Sequence, residues 1–164
     1  EALDAAAHQL KGQAVDPSRS AIVLSAQHSN EDNFALALVA KRYMGITDVF
    51  LASRADGFAD DILMKADKNS NRLGAISVAE QLGFDEPNTV SDFVEAMKAD
   101  RYDYVISLGS AVDVDDDAEL KVELSRLKGF VALCSHEGAL SKAAPCCFSS
   151  RWPRQNRTAT PFTP

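Results

Sequence analysis

The residues best suited to chemistry form one polar string, Gln27-His28-Ser29-Asn30-Glu31-Asp32-Asn33. It follows the apolar run 20–26 and opens a helical stretch, 29–44, which leads into a second apolar run, 48–53. Strand, helix, strand of this kind is normally parallel, and ligands of such sheets gather at the carboxyl ends of the strands. An imidazole, a hydroxyl, amides and carboxylates at that lip could orient a polar ligand. The lip carries no glycine, so the backbone cannot close on a pyrophosphate in the Gly-x-Gly-x-x-Gly manner. Helix capping is the competing use: Ser29 can take an orphan N–H, Asp32 stands where a capping box needs it, and Glu31 and Asp32 suit the positive helix end.

Other clusters carry less. The acidic run Asp113-Val-Asp-Asp-Asp117 resembles a calcium loop, but counted from Asp113 the glycine position holds Ala118 and the bidentate glutamate position holds Leu124. Capping of a helix beginning near Asp116 is its expected role. His136-Glu137 lacks the second histidine of a zinc-hydrolase motif. Ser25, Ser53 and Ser110 end strands without a Gly-x-Ser-x-Gly elbow. Lys65, Lys68 and Arg72 could meet an anion from the polar loop 65–72, where a solvated surface is the default. No catalytic residue and no metal ligand is assigned.

The elements that position these groups alternate along the chain. An amphipathic helix is expected over 1–13, and the helix 29–44 closes with Lys41 and Arg42 before Gly45. Its centre, Phe34 to Ala40, is apolar on every face, so its back should meet another layer or another subunit, and Leu38 is expected in the core. Short helices are expected over 58–68 and 75–82. Another, capped by Ser91, should bury Phe93, Val94 and Met97 with the stem of Lys98. Strands over 102–109 and 129–135 flank a helix over 115–127. The expected fold is α/β, a three-layer domain with a mostly parallel sheet of about four strands and flanking helices.

With 164 residues and 46% hydrophobic content, the chain can build one core. A formal charge of −7 argues against nucleic acid. Nothing acidic follows Glu137, while Lys142, Arg151, Arg154 and Arg157 do, leaving the first 137 residues at −11. No apolar run reaches membrane-spanning length, so no membrane insertion is expected. Cys134 sits in an apolar run as a small core residue, and Cys146 and Cys147 lack metal-site spacing. The chain opens at Glu1 without a signal sequence and reads as an excerpt of something longer, from a reducing compartment.

The segment from Ala21 to Leu36 resembles the strand followed by "Ser/Thr-Asn-Glu-Glu-Asn-Tyr" of the molybdopterin oxidoreductase family, and Glu1-Ala-Leu3 is similar to its preceding "Trp-Asp-Glu-Ala-Leu" helix. Residues 60–75 are similar to the "Ala-Asp-Lys-Asn-Pro-Asn" region of the large iron–sulfur subunits of NADH:quinone oxidoreductases, with Ser70 in place of proline. Tyr104-Val-Ile-Ser-Leu-Gly109 matches the family's later strand and glycine. The likeness covers 1 to about 144 and implies a Rossmann-like domain of molybdopterin-oxidoreductase type. It implies a role in respiratory electron transfer as a scaffold domain. Its partners would be the other subunits of a membrane-associated complex, at the cytoplasmic face and peripheral to the inner membrane. Ala55-Asp-Gly57 stands where molybdenum enzymes place their ligand, and Gly109-Ser-Ala-Val-Asp113 lacks the asparagine and proline of the pterin-nucleotide loop. The resemblance therefore implies no cofactor on this segment, with iron–sulfur clusters upstream. Where a pterin is bound, it implies His28, Ser29, Asn30 and Asp56 as the contacts. A fragment of a formate dehydrogenase-like enzyme and a free-standing small-molecule-binding domain are the alternatives.

Residues 145–164 form a separate unit in composition, with four of the six prolines and the only tryptophan. Read one nucleotide earlier, codons for 150–162 permit Pro-Val-Ala-Glu-Ala-Glu-Pro-Asp-Gly-Tyr-Thr-Phe, which resembles the family's continuation "Ala-Glu … Asp-Gly-Thr-Phe-Thr". The tail is therefore expected to be irregular or disordered and translated out of frame.

Overall fold

The computed structural model describes residues 15–109, 118–134 and 146–149. The expected helix over 1–13, the acidic run 113–117, His136-Glu137 and the tail from 150 onward lie outside the described residues.

The central runs are nearly continuous apolar stretches whose successive side chains are buried on opposite faces, which is the pattern of a sheet covered on both sides. Its strands are β1 (Ser20–Ser25), β2 (Asp48–Ala52), β3 (Asn88–Thr89), β4 (Tyr104–Leu108), β5 (Gly129–Cys134) and β6 (Cys146–Ser149). All pair in parallel, in the order β3-β2-β1-β4-β5-β6. On one face Ile22, Leu24, Val49, Leu51 and Ile106 pack with α1 (Asn30–Val39) and α2 (Arg72–Gln81). On the other, Val23, Phe50, Val105 and Phe130 pack with Phe93 and Met97 of α3 (Val90–Lys98) and Leu120 and Leu124 of α4 (Ala118–Arg126). Each such side chain, fully buried, contributes about 1.5–3 kcal/mol. The expected three-layer α/β domain is therefore present. It is larger than the four-strand expectation and wholly parallel. The chain builds outward from β1 to β3, then crosses back to β4, so the strand order reverses between β1 and β4, the place where doubly wound sheets open a crevice.

Several local expectations change. The helix after β1 begins at Asn30 with Ser29 as its N-cap, as expected, but its last turn, Ala40–Met44, widens to π geometry before Gly45 ends it at φ 71°. Its inward positions are Asn33, Leu36, Ala37 and Ala40, so Leu36 takes the core place expected of Leu38, which is half-buried. Phe34 and Val39 remain exposed. No helix forms over 58–68. There Asp60 Oδ1 accepts the N–H groups of Ile62, Leu63 and Met64, and Lys68 Nζ takes the carbonyls of Phe58 and Lys65, so side chains capture groups that a helix would pair internally. Helix α2 starts at Arg72, three residues earlier than expected, and α3 is capped by Thr89 in a reciprocal capping box with Asp92 instead of by Ser91. Lys98 reaches outward to Glu119 at 3.2 Å. Strand β6 lies inside the tail expected to be irregular, on a stretch that has no internal proline to break its pairing with β5.

The amino edge of the sheet is tied by charge. Arg19 Nε and Nη2 donate to the two oxygens of Asp103 at 3.0 and 3.1 Å, and Lys128 Nζ reaches the same carboxylate at 3.0 Å. These bonds, the Arg19 one foremost, hold the Asp103 carboxyl below its ordinary range. Asp48 receives Arg101 Nη2 and the Tyr102 hydroxyl, and burial followed by that bond pushes the phenol upward.

Candidate functional site

The polar string after β1 folds back over the carboxyl edge because Asn33, one turn into α1, points inward. Its Oδ1 accepts the Ser25 N–H at 2.9 Å, and its Nδ2 donates to the Ser25 and Ser29 carbonyls at 3.0 and 2.9 Å. The side chain is fully buried. One amide thus supplies an acceptor to the Ser25 N–H where the strand turns into the helix, and adds a second bond to carbonyls that also accept the His28 and Asn33 N–H groups.

Within that turn His28 packs against the place where the strand order reverses. Its Nδ1 lies 2.9 Å from Ser25 Oγ, which also accepts the Gln27 N–H at 3.2 Å. Across the crevice Gly109 ends β4 at φ 79°, and a Cβ built there would sit 2.7 Å from His28 Cε1. The conformation and the lack of space both require glycine. Ser25 and His28 have the spacing to share a proton, but Ser25 has no exposed surface with which to attack an outside substrate. Ser107, beside Val23 in the register, has a buried hydroxyl with no hydrogen-bond partner among the described residues.

The loop between β2 and α2 completes the rim through asparagines. Asn71 Nδ2 donates to the His28 carbonyl and to Asn30 Oδ1, each at 2.8 Å, and the Asn71 N–H donates to the Ala26 carbonyl. Asn69 accepts from the Arg54 N–H and from Gln27 Nε2, and donates to the Arg54 carbonyl and to Asp67. Arg72 Nη2 donates to Asp56 Oδ1 at 3.0 Å and to the Arg54 carbonyl. Its Nε is 3.3 Å from Asp67 Oδ2, close enough for attraction but not aligned to donate. The Asn69 side chain chiefly holds Asp67 low in pKa.

Of the four residues that the resemblance singles out, His28 and Asn30 join one network through Asn71. Ser29 is spent on the helix, its Oγ bonded to Asp32 Oδ2 at 2.9 Å and accepting the Asp32 N–H. Asp56 stands apart, paired with Arg72. Sequence reasoning placed Asn33 in the polar lip and Ser25 and Gly109 at strand ends without seeing their contacts, and it missed Asn69 and Asn71 as parts of this edge. Their signal was weak but present: amides at both ends of one turn and in the loop facing it, with a lone glycine after the next strand. Among the described residues no group of three or more His, Cys, Asp or Glu could hold a metal ion, and no helix is long and apolar enough to cross a membrane. Comparison with family models, curated proteins and solved structures gives no match to this chain.

Proposed function

We propose that the chain is a scaffold segment of the large iron–sulfur subunit of an NADH:quinone oxidoreductase, respiratory complex I, with the architecture of the molybdopterin oxidoreductases and no redox centre of its own. The observation that carries this reading is how the carboxyl edge uses its polar groups. Asn33, Asn69, Asn71 and Ser29 are bonded to the chain itself, and the His28 ring fills the crevice against Gly109. A ligand would have to break those bonds before forming its own. The Arg72 guanidinium at the rim is already turned to Asp56 and Asp67. The exposed Phe34 and Val39 on α1 suit a domain that makes contacts within a respiratory assembly at the membrane surface.

The coding sequence tests this reading. Extended upstream of the Glu1 codon, the reading frame is expected to encode cysteines at iron–sulfur spacing, and the third bases of codons 150–162 to spell the shifted string. The full-length protein should then contain iron but no molybdenum by metal analysis. A frame without those cysteines, or stoichiometric molybdenum in the purified protein, would overturn it; the second result would favour the pterin-dependent enzyme, with His28 displaced by the cofactor.

A further inference from the structure

One apolar row crosses four strands on the face of the sheet that carries α1 and α2. Val49, Ile22, Ile106 and Val131 stand side by side in the register of β2, β1, β4 and β5, and they are 2%, 0%, 5% and 2% exposed. Leu133, two residues further along β5, packs against the same cluster. Among the described residues, the helices on this face are α1 and α2, and they lie against β1 and β2. Six strands spaced by about 4.8 Å put the outer strands about 24 Å apart, whereas two helices each about 10 Å across span about 20 Å. The part of the row on β4 and β5 is as dry as the part on β1 and β2, so its burial calls for a third element on this face.

Topology narrows what that element is. A right-handed crossover between parallel strands passes over the face set by its direction along the sheet. The steps from β1 to β2 to β3 run one way and carry α1 and α2. The steps from β4 to β5 to β6 run the other way and belong to the face of α3 and α4, where Leu120 and Leu124 already pack. Residues 150–164 contain Pro153, Pro161 and Pro164, which interrupt a covering helix. The remaining segment is the one before β1, and its entry lies on the required side. Pro17 packs 3.5 Å from the Cβ position of Gly45, which closes the turn Ala40–Met44, and Ala40 and Met44 belong to the same apolar cluster as the row. Val15, just upstream, is half-buried. The entry is held by Asp16, whose Oδ1 accepts the Ser18 N–H and whose carbonyl accepts the Ser20 hydroxyl.

We infer that residues 1–13 dock as a helix beside α1, over β4 and β5, with Leu3, Ala6, Ala7 and Leu10 turned to Ile106, Val131 and Leu133. Those four residues recur at helical spacing, and the two alanines let the backbone come close to the sheet. A helix over 1–13 reaches about 20 Å, the length of a six-residue strand such as β5. The β4–β5 side of this face is then closed by the chain itself, and a partner of the domain has to use another surface. The inference is independent of the scaffold reading, which rests on the carboxyl edge.

The test uses the whole chain in solution, with Ile, Leu and Val methyl groups labelled for nuclear magnetic resonance. The expected result is Overhauser contacts from Leu3 and Leu10 to Ile106, Val131 and Leu133, which do not arise between differently labelled copies in a mixed sample. Leu3→Asp with Leu10→Asp should speed amide exchange at residues 130–134 by about tenfold or more and at residues 49–51 by less, while Ala5→Asp, on the opposite side of the helix, leaves both unchanged. The inference is overturned by methyl contacts of Val131 with another segment in place of 1–13, by contacts that arise only between copies, or by a double variant that exchanges like the wild type. The wild-type methyl contacts decide the matter even where the double variant does not fold.

Discussion

At the amino edge of the sheet, Asp103 draws Arg19 and Lys128 onto one carboxylate, while at the carboxyl edge Asn33, Asn69 and Asn71 join turn, loop and helix with neutral amides. The ionic ties are open to water on the cationic side, with the Arg19 and Lys128 side chains 39% and 59% exposed, whereas Asn33 is wholly buried. A partly hydrated ion pair gains little over its separated charges and weakens with salt. A buried amide that bonds several backbone groups is different, because removing it leaves the Ser25 N–H without that acceptor in a dry place and strips a second bond from two carbonyls. At the edge that a doubly wound sheet reserves for ligands, the turn from β1 into α1 is thus held mainly by neutral amides, with the charged pairs of Arg72 confined to the loop beyond it.

The largest expected effect follows directly. Asn33→Ala should destabilise by about 3 kcal/mol, since the buried Ser25 N–H loses the Asn33 oxygen and the Ser25 and Ser29 carbonyls each lose the shorter of two bonds, keeping only the His28 and Asn33 N–H groups. Urea denaturation with and without about 1 M NaCl checks it, and the loss should be nearly independent of salt. A loss under about 1 kcal/mol would break the contrast between the edges.

Next comes Gly109→Ala, expected to cost about 2 kcal/mol from the left-handed backbone and the crowding of the His28 ring. The two causes separate in a double-mutant cycle with His28→Ala, which should return the crowding part and leave the backbone part, about 1 kcal/mol. Strict additivity in thermal or urea unfolding would mean that the ring does not sit against Gly109.

Much of this fold was legible because strong apolar periodicity sets strands and helices locally. Runs 20–26 and 48–53 could only be buried strands, and Ser29 and Gly45 marked the ends of the helix between them. What escaped was decided by side chains competing for backbone groups and by helix phase. The carboxylate of Asp60 and the ammonium of Lys68 prevent a helix that the spacing of Phe58, Ile62 and Leu63 suggested. The choice of Leu36 over Leu38 depends on helix phase, which an all-round apolar segment does not reveal. Asn88–Thr89 is too short a strand to show periodicity at all. At the site, His28 and Asn30 stood out by type, whereas Asn33, Asn69 and Asn71 read as ordinary polar residues of a cap and a loop. Asn69 and Asn71 take their role from meeting Gln27, His28 and Asn30 across about forty residues of chain, a separation set by the βαβ crossover, and Asn33 from turning inward onto Ser25 eight residues before it.

The smallest expected effect concerns the amino edge and sharpens the comparison through pH. Asp103→Asn keeps the shape of the side chain and removes its charge, and should cost about 1 kcal/mol near neutral pH, an amount that shrinks in high salt. Bonding to Arg19 lowers the folded-state pKa of Asp103 beneath the value of about 3.9 for an unfolded aspartate. Below the unfolded value the unfolded chain therefore binds more protons than the folded one, and stability falls as the pH drops. The contribution of Asp103 is complete above the unfolded pKa and disappears as pH falls through the folded one. Asp16, Asp60, Asp67 and Asp92 are lowered too, but they titrate alike in wild type and variant and cancel in the difference. Urea midpoints measured from about pH 7 to about pH 3 should show the gap between wild type and Asp103→Asn level at first and closing at the acid end, while the gap for Asn33→Ala stays level throughout. A gap for Asp103→Asn that widened in acid would mean that the carboxylate is not held by Arg19 in solution, and the amino edge would lose its ionic character.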